Sequence, residues 1–100
     1  MTVKLPPPDD AIDNPDAVEV LRGWVVGGDL QVSLAFDIFG NNTSVWGQLL
    51  AETAVHVADA LALQGRGDQQ VLLAAIHAAF LENIQNPCPG LNGTIGGPKQ

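Results

Sequence analysis

One hundred residues with 46% hydrophobic side chains make a single domain with a modest core, which excludes wholesale disorder. Eleven Asp+Glu against four Lys+Arg give a net charge of -7, which argues against nucleic acid and anionic membrane surfaces as partners because a negative field repels phosphate. A single cysteine, Cys88, leaves no internal disulfide, and no Cys/His cluster supports structural zinc, so a second subunit is the simplest source of further burial.

The chain begins with Met1-Thr2-Val3-Lys4 and KLPPPDDAID (Lys4 to Asp13), where prolines and acids favour solvated, extended backbone; residues 1–13 are read as a flexible arm. This start is unlike a signal-peptide apolar region, and no run approaches the roughly 20 apolar residues of a membrane span. The expected location is therefore cytoplasmic. Asn14-Pro15-Asp16 has the composition of a helical turn, and from Val18 the chain turns strand-like and β-branched.

Val18 to Phe36 reads as a β-hairpin hinged on Gly27-Gly28-Asp29. A three-residue loop would place Val26 opposite Leu30, Trp24 opposite Val32 and Arg22 opposite Leu34, gathering the aromatics on one face. A two-residue loop would set Trp24 beside serine and glutamine, so the three-residue register is expected. Thr43 or Ser44 then caps a helix to about Leu63, with Trp46, Leu49, Leu50, Thr53, Ala54, Val57, Ala60 and Leu61 on its apolar side. Gly65 and Gly67 punctuate, Asp68 caps, and a second helix runs from Gln69 to about Gln85. Its core side is Leu72, Ile76 and Phe80, yet Val71, Ala74, Ala75 and Ala78 make the reverse side apolar as well. Residues 14–86 are thus one α+β domain: a β-hairpin followed by an antiparallel helix pair packed on one face of the sheet. Residues 87–100, rich in glycine and proline, are read as a flexible tail.

Chemistry-bearing residues are sparse. Glu52, His56 and Asp59 fall at i, i+4 and i+7 on the first helix, a spacing that can gather metal or acid–base groups, but one imidazole and two flexible acids are an incomplete metal site. The expectation is no metal, no cofactor and no catalytic residue. His77 interrupts an apolar run without a nucleophile or carboxylate placed beside it, and Cys88 has no base to lower its pKa. Asp9, Asp10, Asp13 and Asp16 lack the pattern of a calcium loop. Arg66-Gly67-Asp68 and the Asn-X-Ser/Thr triplets at Asn41, Asn42 and Asn92 read as turns and caps. Arg22, Trp24 and His56 are the residues best suited to line a ligand pocket between subunits, with an ion pair to a carboxylate as the plainer role for Arg22.

DAVEVLRGW (Asp16 to Trp24), GDLQVSL (Gly28 to Leu34), WGQLLAE (Trp46 to Glu52) and HVADAL (His56 to Leu61) together resemble a family of small bacterial proteins, domain of unknown function 5076. The resemblance implies a stand-alone bacterial protein and supplies no activity. The expected function is a non-enzymatic homo-oligomeric interaction or regulatory module, a dimer or a dimer of dimers, with Val71, Ala74, Ala75 and Ala78 in the interface. A small-ligand-binding protein or enzyme with a pocket between subunits is the alternative.

Overall fold

A computed structural model describes residues 4–87. Five elements follow one another: α1 (Asp9–Ile12), β1 (Leu21–Val26), β2 (Asp29–Leu34), α2 (Ser44–Leu63) and α3 (Gln69–Gln85). The fold is α+β, a two-stranded antiparallel hairpin followed by two helices packed on each other. The tail beyond residue 87, with Cys88 and Asn92, lies outside the described residues.

The arm is not extended throughout. Pro8 stands before α1 with extended backbone, and its carbonyl accepts from Ala11 N and Ile12 N, while Asp9 and Asp10 put negative charge at the positive end of the turn. At Asn14, the side-chain oxygen accepts from Asp16 N at 2.9 Å and the carbonyl from Ala17 N at 3.1 Å, so this stretch forms a turn that leads the chain into β1.

The hairpin register differs from the expected one. Val26 faces Asp29, Val25 faces Leu30, Trp24 faces Gln31 and Arg22 faces Ser33, so the loop is Gly27-Gly28 alone. Both glycines have positive φ, 60° and 85°, the conformation whose twist matches that of antiparallel strands and which a side chain disfavours. Turn chemistry thus outweighs the sorting of aromatics. One face now carries Leu21, Val25, Leu30, Val32 and Leu34, with Gly23 between; the other carries Arg22, Trp24, Val26, Asp29, Gln31 and Ser33.

Helix α2 starts and α3 ends where the apolar period predicts. Thr43 holds the N-cap position of α2 without capping it; its hydroxyl turns back to Asn41 O, and that of Ser44 to Asn42 Oδ1. Between the helices, Arg66 N donates to Leu61 O and Gly65 N to Ala62 O, with Gly65 at φ 74°, which is a Schellman stop. Asp68 then caps α3.

The core is small. Among the described residues Ala58 is the one buried apolar residue, and no large side chain is fully buried. The half-buried positions of α2 change side along its length: Val45, Trp46 and Leu49 near its start, Ala54, Leu61 and Ala62 further on. Phe39, in the loop before α2, packs edge-on against Trp46 with ring centroids 5.2 Å apart. Val57 and Leu50, expected on the apolar side, are exposed. The strands contact each other and the helices contact each other; on the apolar hairpin face Leu21 and Val32 are half-buried, while Val25 is 63% and Leu34 50% exposed.

Candidate functional site

Three places bring functional side chains together. The first is the mixed face of the hairpin. Arg22 and Trp24 sit two residues apart on β1 and so share that face, opposite Ser33 and Gln31. Arg22 is committed locally: Nη2 donates to Glu19 Oε1 at 2.8 Å and Nε to Oε2 at 3.1 Å, a two-pronged pair on exposed side chains. That hydrogen bond, and then the charge of Glu19, raises the guanidinium pKa above its ordinary value. Beside them Asp29 is buried, and its Oδ1 accepts no hydrogen bond from the described residues. A turn read as three residues hides this aspartate in the loop; a Gly-Gly pair read as the whole turn makes it the first residue of β2.

The second is a shallow depression of about 330 Å³ along one side of α2, where Glu52 and His56, one helical turn apart, share a wall with Gln48 and Thr53. Thr53 is occupied, donating to Leu49 O at 2.8 Å. Asp59 does not line the depression, and His56 is exposed. No Cα of β1 lies within 8 Å of one in α2, so Arg22 and Trp24 stand apart from His56 within one chain. Among the described residues no three His, Cys, Asp or Glu side chains gather as a metal-binding group.

The third is larger and almost wholly apolar: a groove of about 620 Å³ between α2 and α3. Helix α2 lines it with Gly47, Leu50, Ala51, Ala54 and Val55, a three-to-four-residue spacing that keeps them on one side. Helix α3 contributes Leu73, Ala74, Ile76 and Phe80 at the same spacing, with Gln70 and His77 as its polar members. Of the alanine stripe on α3, Ala74 alone enters the groove; Val71, Ala75 and Ala78 are exposed beside it. Both rows are legible in the sequence. The side of α3 expected to form its core is the more covered one, with Leu72, Leu73 and Ile76 half-buried and Val71, Ala75 and Ala78 exposed.

The family described as Domain of unknown function (DUF5076) matches residues 4–88, which takes in every described residue. The chain belongs to this family. None of the functionally curated proteins matches it. A similar solved structure comes from the photosynthetic bacterium Rhodopseudomonas palustrus CGA009 and is described as "a putative pyruvate dehydrogenase". It is 27% identical, with a TM-score of 0.69 over 91% of this chain and 92% of that one, so the two share an overall architecture. Among the described residues, no helix is long and apolar enough to cross a membrane.

Proposed function

We propose that this DUF5076 protein is a non-enzymatic homo-oligomeric module that acts through protein–protein contact. The observation that carries the reading is uncovered apolar surface. Apolar side chains stay exposed inside the regular elements: Val25 at 63%, Leu34 at 50%, Leu50 at 41%, Val71 at 66% and Phe80 at 47%. A 10.5 kDa chain in which Ala58 is the one buried apolar residue among those described gains from a partner what it lacks inside.

Light scattering coupled to size exclusion tests this: a mass of two or four chains is expected, and a monomer at micromolar concentration overturns it.

The second reading, a ligand site or enzyme formed between subunits, draws on the description of the R. palustrus protein. It would require Arg22 and Trp24 to meet His56 across an interface, since His56 lies apart from them in one chain. Pyruvate-dependent carbon dioxide release by the purified protein, lost on His56→Ala, would favour it over the non-enzymatic module.

A further inference from the structure

We infer that two copies of the chain pack groove to groove, the α2–α3 pair of one seated on the α2–α3 pair of the other as a four-helix bundle. This rests on the homo-oligomeric reading and says which surface forms the contact.

The groove needs an occupant, and its chemistry selects one. Leu50, Val55 and Phe80 are 41%, 39% and 47% exposed along it, which is a continuous apolar strip and not scattered side chains. None of its lining residues is Asp, Glu, Lys or Arg, although the chain carries eleven acids. A cationic or anionic peptide would find no complementary charge in it. A second copy, with its own net charge of -7, can approach here without burying a carboxylate against another, because Glu52, Asp59 and Glu82 lie outside the lining.

Shape points the same way. Gly47, Ala51, Ala54 and Ala74 are small and set in the floor and walls, so a facing helix can approach at about 8 to 10 Å. The helices have 20 and 17 residues, about 30 and 25 Å of length, so each pair spans the other from end to end. An up-and-down helix pair with one uncovered apolar side is half of such a bundle, and a two-fold axis through the groove lets one patch serve as both donor and receiver.

The test compares three exposed positions by light scattering and far-UV circular dichroism. Ala51→Arg and Ala74→Arg place a charge in the groove, and Ala78→Arg places one on the neighbouring stripe. Expected is an oligomeric wild type, self-association weakened about 100-fold or more by either groove variant with helix content retained, and an Ala78→Arg protein that keeps its mass. Dissociation by Ala78→Arg while Ala51→Arg and Ala74→Arg keep the wild-type mass overturns groove packing and leaves the homo-oligomer standing; a monomeric wild type overturns both. Where the arginine variants lose helix, or all three dissociate, crosslinking decides. In a Cys88→Ser background a short bismaleimide should join Ala51→Cys chains into covalent dimers, and dimers formed through Ala78→Cys instead overturn the inference.

Discussion

At Asp68 a single carboxylate oxygen, Oδ2, accepts from both Gln70 N at 3.0 Å and Val71 N at 3.3 Å, satisfying two of the donors that the start of α3 leaves open. At Thr43 the same kind of position on α2 has no side-chain cap, because its backbone is already helical and its hydroxyl points back to Asn41 O. The two residues look alike in sequence and differ in φ and ψ. Asp68→Ala should therefore destabilise the fold by about 1 kcal/mol, and Thr43→Ala by a few tenths at most, both read from urea unfolding midpoints. Equal effects would mean that α2 is capped in solution. Asp68 was legible from its place before a periodic run. The idle hydroxyl of Thr43 was not, since it follows from the turn at Asn41 and Asn42 that precedes the helix.

The hairpin is decided at its two glycines. A two-residue turn with positive φ at both positions accepts asparagine at the first of them, and a Cβ added at Gly27 meets nothing within 4 Å. Gly27→Asn should leave stability unchanged or raised by a few tenths of a kcal/mol, while Gly27→Val should cost about 1 to 2 kcal/mol because a β-branched residue resists left-handed backbone. Thermal unfolding of both variants checks the pair; a harmless valine would favour the longer loop. The helices contrast with this hairpin. Their bounds follow from a 3.6-residue apolar period, a Schellman glycine and an N-cap, all local signals. Strand register depends on which partner residue faces which, and a slip of one position turns every side chain to the other face.

For the whole molecule, association should appear as concentration-dependent stability. Melting a homo-oligomer releases its subunits, so tenfold dilution should lower the thermal midpoint by a few degrees, whereas the midpoint of a monomer stays fixed. The N-terminal arm contributes little to that balance. Leu5 is 91% exposed and Ile12 62%, and α1 has no buried residue. Deleting residues 1–13 should shift stability by no more than about 0.5 kcal/mol. A midpoint that falls by ten degrees on deletion would place the arm in the interface.

The sequence by itself determined a hairpin followed by two helices, with the glycine stop of α2 and the Asp68 cap of α3. Those properties are set by neighbours within about four residues or by composition, and both are written in the chain. Tertiary structure alone decided that Trp24 faces Gln31, that Asp29 is buried, and that Ala74 shares a groove with Ala51 while Ala78 stands outside it. The register follows from a glycine turn that competes with side-chain sorting, and the groove depends on residues far apart in sequence meeting in space. A helix apolar on two sides, like α3, offers two equally periodic answers until a second helix occupies one of them.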